Sequence, residues 1–144
     1  MAIEQNIKLA VDTLVFDVSN NARRILLIER KNKVGDESWA LPGGFVEDDE
    51  TPLEAAKREL EEETGVKLDD LKQMHTFGAV NRDPRFRVVS IAFIAKTIAN
   101  KHSPKSASDA KNVKWFELDK LPKLAFDHSD IIEMGVKNLE EFEY

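Results

Sequence analysis

The chain predicts an α/β domain. Three observations lead there: strand-like apolar segments alternate with polar turns, two stretches carry helical periodicity, and 144 residues suffice for one sizeable core. Leu9 to Val18 and Arg24 to Glu29 read as strands joined by the turn-rich Ser19-Asn20-Asn21. Residues 31 to 37 read as a polar loop, and Trp39-Ala40-Leu41 leads into a tight turn at Pro42-Gly43-Gly44. Leu71 to Val80 and Arg87 to Lys96 read as strands around a loop from Asn81 to Arg85. Residues 99 to 111 are polar and loop-like, Val113 to Glu117 is a short strand, and Asp127 to Phe142 forms a final helix with Asp127 as its N-cap.

The first helix is the best-specified element. Thr51 can cap its start, Pro52 sits where a missing N–H does no harm, and Glu54 falls where a capping box needs it. Leu53, Ala56, Leu60 and Thr64 share one angular sector and should face the core. Gly65 is placed to end the helix in a left-handed conformation.

Glu59, Glu62 and Glu63 occupy an adjacent sector of that helix, at offsets of zero, three and four. Three like charges so close repel, and helix stability alone would space them out. A hard divalent cation reverses the penalty, because Mg2+ binds through a few carboxylates together with substrate phosphates. The residues themselves therefore suggest metal-dependent phosphate chemistry, against the plainer reading of an acidic solvated face.

Composition limits the remaining classes. The net charge of -6 argues against a nucleic-acid surface, which needs clustered Lys and Arg. With 42 % hydrophobic and 33 % charged residues the chain suits a soluble globular protein, and much of the acidic balance serves solubility. There is no cysteine, hence no disulfide framework and no thiolate metal site. No apolar run spans a bilayer and the N-terminus does not read as a signal peptide, so the expectation is a cytoplasmic protein of one domain over residues 1–144.

Gly44, five residues, Glu50, seven residues, Arg58-Glu59-Leu60, one residue, Glu62-Glu63, one residue and Gly65-Val66 make nine defined positions over 23 residues. This resembles the signature box of the Nudix hydrolases, which cleave a nucleoside diphosphate linked to another moiety. The resemblance implies an α/β/α sandwich with a mixed sheet between helices. It implies Glu59, Glu62 and Glu63 as metal ligands, the Gly43 carbonyl as a further oxygen, and Mg2+ as the cofactor with Mn2+ as a substitute. Arg58 would pair with Glu50 and steady the acidic face, with Gly44 and Gly65 as structural support. Glu59 or Glu63 would take a proton from water. Asp109, six residues before Trp115, is a further candidate base or else an ordinary loop residue.

A second resemblance bears on substrate. Thr76-Phe77-Gly78, Arg82 to Arg85, Val88-Val89-Ser90 and Leu124 to His128 look like the Nudix branch of ADP-ribose pyrophosphatases and NAD-metabolism regulators. It implies hydrolysis of ADP-ribose to AMP and ribose 5-phosphate. Arg82 and Arg85 would reach phosphate or ribose hydroxyls, unless one pairs with Asp83. Phe77, Phe86 and Phe126 would offer stacking surface, with core packing as the plainer role of Phe77 and Phe126. Two alternatives stand beside this: a hydrolase of nucleoside triphosphates or oxidised nucleotides, and a non-catalytic ADP-ribose sensor. The complete box, and the lack of a basic recognition helix before Tyr144, weigh against the sensor. The expected partner is a small nucleotide-sugar, with no nucleic acid and no membrane. Some related enzymes are homodimers, which leaves that option open.

Overall fold

The computed structural model describes residues 3–19, 23–34, 37–105 and 110–141. Seven strands and two helices follow in the order β1 (Lys8–Asp17), β2 (Arg24–Val34), β3 (Glu37–Ala40), β4 (Gly43–Phe45), α1 (Pro52–Thr64), β5 (Lys72–Phe77), β6 (Val88–Thr97), β7 (Ala110–Glu117) and α2 (His128–Glu141). The strands form one mixed sheet with the path β3-β2-β1-β6-β5; β4 adds to β1 and β7 adds to β2.

β1 organises the sheet. Residues 10–17 are all buried, as expected of a strand covered on both faces. It runs parallel to β6 without a break from Lys8↔Val88 to Asp17↔Thr97. Alternate side chains then separate two cores. Val11 and Val15 join Leu26, Phe93, Ala55, Ala56 and Leu60 on the α1 side. Leu14 and Phe16 join Ile25, Leu27, Ile94, Ile131 and Ile132 on the α2 side. The mixed sheet therefore lies between two helices.

α1 has the ends its sequence predicts. The Thr51 hydroxyl accepts from the Glu54 amide while the Glu54 carboxylate accepts from the Thr51 amide. Gly65 closes the helix at φ 75, where a side chain would be strained, and its amide donates to the Glu61 carbonyl. Ala55, Ala56, Leu60 and Thr64 are its buried residues. Leu53 is 38 % exposed, so the predicted core sector is shifted: Ala55 takes the inward place instead.

Several boundaries differ from the sequence reading. β2 runs on to Val34 through the polar segment read as a loop, and Val34 pairs with Glu37 of β3. The Gly43-Gly44 turn proves to be a short strand, with Val11↔Gly44 and Asp12↔Gly43 in register. β5 ends at Phe77 rather than Val80, since pairing with β6 stops at Phe77↔Ser90. Within the expected 99–111 loop, Ala99–Lys101 forms a single 3-10 turn, and β7 begins at Ala110.

The cleft follows from this pairing. Among the described residues β1 and β2 pair at Phe16↔Ile25 and Asp17↔Arg24 alone. Toward the other end of β1 its neighbour is β4. Between the parted strands lies a cleft of about 280 Å³, at the small end of small-molecule sites.

Candidate active site

One side of the cleft is acidic. Glu63 lines it directly, beside Gly43 and Gly44. The Glu63 carboxylate accepts the Gly43 amide at 2.8 Å. Burial, reinforced by the nearby charge of Glu59, pushes the Glu63 pKa up to about 8. Glu59 is also raised, chiefly by burial, against the pull of Arg58. Gly44 lies against this group: a Cβ there would come within 2.6 Å of the Glu59 carboxyl carbon.

Arg58 is the hub of the acidic face. Its Nε and Nη2 bind Glu50 at 2.9 and 2.6 Å, Nη1 reaches Glu59 at 2.8 Å and Glu62 at 3.2 Å, and Nη2 also donates to the Phe45 carbonyl. Together with the Glu47 amide it holds the Glu50 carboxyl down to about 2. Glu62 is half-exposed beyond this hub. Among the described residues no three acidic or histidine side chains already converge as a ligand set. Glu59 and Glu62 are drawn to Arg58, and Glu63 to the Gly43 amide. The donors are nevertheless hard carboxylate oxygens on one helical face, and a divalent cation would offset both the burial and the repulsion that raise Glu63. The donor chemistry fits a Mg2+-type ion.

The opposite wall is aromatic and basic. Phe126 lines the cleft, with the Arg30 guanidinium 4.6 Å and that of Arg85 5.2 Å from its ring centre. Arg85 also donates twice to Asp83. Arg82 lines the cleft as well, but its guanidinium is buried and committed: Nε and Nη2 bind the two Asp127 oxygens at 2.9 and 2.6 Å. Arg82 thus ties two loops together from within the cleft lining. Asp127 precedes α2 as expected of an N-cap, yet both its oxygens serve Arg82. Phe77 lies outside the cleft lining and packs with the α2-side core, the plainer of the two roles its sequence allowed. Phe86 is exposed and tilted against Phe45. Asp109 lies outside the described residues.

Sequence reasoning missed the polar group at the floor. Asp12, buried within β1, accepts the Ser90 hydroxyl at 2.5 Å and faces His128 Nε2 at 3.4 Å and Arg82 Nη2 at 3.8 Å. Burial lowers the His128 pKa, so the ring is neutral. One signal was available: an aspartate interrupting an apolar strand has to be partnered.

The NUDIX domain model matches residues 8–134. The chain belongs to the Nudix family. It is 46 % identical over 110 residues to an ADP-ribose pyrophosphatase of Methanocaldococcus jannaschii, covering 76 % of this chain and 64 % of that protein. It is 35 % identical over 135 residues to the ADPR responsive transcriptional repressor NtrR of Acinetobacter baylyi, covering 91 % of this chain and 54 % of that one. The chain therefore spans somewhat over half the length of these two relatives. The crystallised NUDIX domain of Shewanella oneidensis NrtR, complexed with ADP ribose, superposes with a TM-score of 0.84 at 30 % identity, over 94 % of this chain and 90 % of that one.

Proposed function

We propose that this Nudix domain is a divalent-metal-dependent pyrophosphohydrolase that splits ADP-ribose, with water, into AMP and ribose 5-phosphate. The observation that carries the reading is the cleft itself. Glu63 of α1, with Glu59 packed behind Gly44, meets the same cleft as Phe126 with Arg30 and Arg85. Similarity to an ADP-ribose pyrophosphatase and to an ADP-ribose-bound Nudix domain supports that substrate.

Glu59, Glu62 and Glu63 would hold Mg2+, with Mn2+ as a substitute and the Gly43 carbonyl as a further donor. When bound, the ion neutralises diphosphate charge and makes a coordinated water more acidic. The chain's own residues do the rest. Arg58 restrains Glu59 and Glu62, and the Gly43 amide orients Glu63. Phe126 offers a face for the adenine or ribose, while Arg85, 42 % exposed, meets phosphate charge. The attacking water gives its oxygen to one phosphorus, the anhydride P–O bond breaks, and a carboxylate takes the proton. Glu59 or Glu63, the part-buried carboxylates of the acidic face, would take that proton.

The repressor similarity favours one second reading, a domain that binds ADP-ribose without cleaving it. Incubating the purified protein with Mg2+ and a panel of ADP-ribose, NAD, NADH, diadenosine polyphosphates and nucleoside triphosphates separates the cases. AMP formed fastest from ADP-ribose supports the proposal. Pyrophosphate or phosphate released mainly from triphosphates moves the substrate to the nucleotide pool. Binding without turnover selects the sensor.

A further inference from the structure

Residues 124–128 clasp together the two walls of the cleft. Trp39 and Leu124 share a parallel bridge, the Ala125 amide donates to the Trp39 carbonyl at 2.9 Å, and the Leu41 amide donates to His128 Nδ1 at 3.0 Å. The same segment carries Phe126 into the cleft at φ 52, a left-handed conformation rare for a bulky side chain. Such strain persists only where the surroundings over-determine it. Asp127 then fastens the segment to Arg82 and so to the loop bearing Arg85. One pentapeptide thus touches both the 39–43 segment, which leads to the glycines against Glu63 and Glu59, and the basic wall.

His128 is the least exposed polar link in that clasp, at 4 %. Because Nδ1 accepts from Leu41, the neutral ring carries its proton on Nε2, which faces Asp12 Oδ1. Asp12 is the register partner of Gly43, so both ring nitrogens act on the strands that flank the glycines. His128 lines the cleft floor but turns its polar atoms to protein. A merely space-filling core residue would need neither contact.

Resting on the hydrolase reading above, we propose that His128 is a positioning residue that holds the 39–43 segment against the Phe126 segment, so that a nucleoside diphosphate seated on Phe126 meets the α1 carboxylates in line. Its Nδ1 contact with the Leu41 amide is the decisive one. Losing it leaves a buried N–H unpaired and lets the two walls drift, and a misplacement near 1 Å costs turnover heavily.

Asparagine and glutamine separate the two ring nitrogens. The amide oxygen of His128→Asn reaches the place of Nδ1, whereas the amide of His128→Gln reaches toward that of Nε2 and Asp12. Amide hydrogen exchange by NMR and ADP-ribose kinetics are measured on both variants and the wild type. His128→Asn is expected to keep Leu41 amide protection and kcat within about threefold of wild type. His128→Gln is expected to lose about tenfold or more in both, with KM little changed and Leu14 in β1 still protected. Equal behaviour of the two variants, or wild-type protection and kcat in His128→Gln, overturns the proposal. If the wild type turns over no ADP-ribose, the hydrolase reading falls, while Leu41 exchange still decides whether His128 holds the two segments.

Discussion

Gly44 lies so close to Glu59 that the smallest added side chain would displace the carboxylate: a Cβ there would stand 2.6 Å from each of Cδ and Oε1. The obstacle is the end of a flexible side chain rather than backbone, so Glu59 can swing aside at little expense to the fold. The damage should fall on chemistry. Gly44→Ala is expected to melt within a few degrees of wild type yet lose about tenfold or more in kcat, since a ligand is moved off its place. Calorimetry and steady-state kinetics on one preparation check this.

Glu62 is half-exposed, and its described partner is Arg58. Replacing it with glutamine removes a charge without disturbing the core. Turnover should fall roughly a hundredfold or more while far-UV circular dichroism is unchanged. Near-normal turnover by folded Glu62→Gln protein would count against this carboxylate as a ligand.

The raised Glu63 pKa has two consequences of opposite kind. Folded protein without metal binds the Glu63 proton more tightly than unfolded chain, from the ordinary 4.5 up to about 8. In that window the native state holds more protons, so metal-free stability contributed by this group is full below pH 4.5 and is lost as pH rises toward about 8. Glu63→Gln should flatten that decline, measured by urea unfolding with chelator present. Conversely, a cation must displace the proton, so divalent affinity should rise with pH by up to about tenfold per unit and level off above about 8.

Arg82 and Arg85 are neighbours with different duties. Arg82 is buried against Asp127, and removing it strands a carboxylate, so Arg82→Ala should destabilise by ~3–5 kcal/mol. Arg85 is 42 % exposed on its salt bridge to Asp83 and faces Phe126. Arg85→Ala leaves the buried Asp83 carboxylate with the residue 85 amide as its described donor, so it should cost about 1–3 kcal/mol and raise the KM for ADP-ribose several-fold. Urea denaturation beside kinetics reads both effects.

What the sequence made legible was local. Thr51, Pro52, Glu54 and Gly65 act within a few residues of themselves, so their spacing sufficed to place α1. Glu59, Glu62 and Glu63 share a face by helical periodicity in the same way, whereas Arg58 was legible only through the resemblance to the Nudix box. The extension of β2 was hidden because Arg30 and Lys31 are polar, and the strand is set by distant pairs, Arg30↔Ala110 with β7 and Val34↔Glu37 with β3. Arg82 looked like a free loop arm because its partner Asp127 is 45 residues away. Asp12, Ser90 and His128 meet across 78 and more residues, and no local pattern joins them. Phe77 stood open between stacking and core packing because the two uses share one chemistry, and only the sheet decides which way a ring faces.

The most direct measurement strips the protein of metal with chelator, adds ADP-ribose, and then restores Mg2+ while products are resolved by chromatography. The account predicts no turnover before the addition, then AMP and ribose 5-phosphate in equal amounts. ADP-ribose bound but intact after Mg2+ is restored, or cleavage confined to triphosphates, would contradict it.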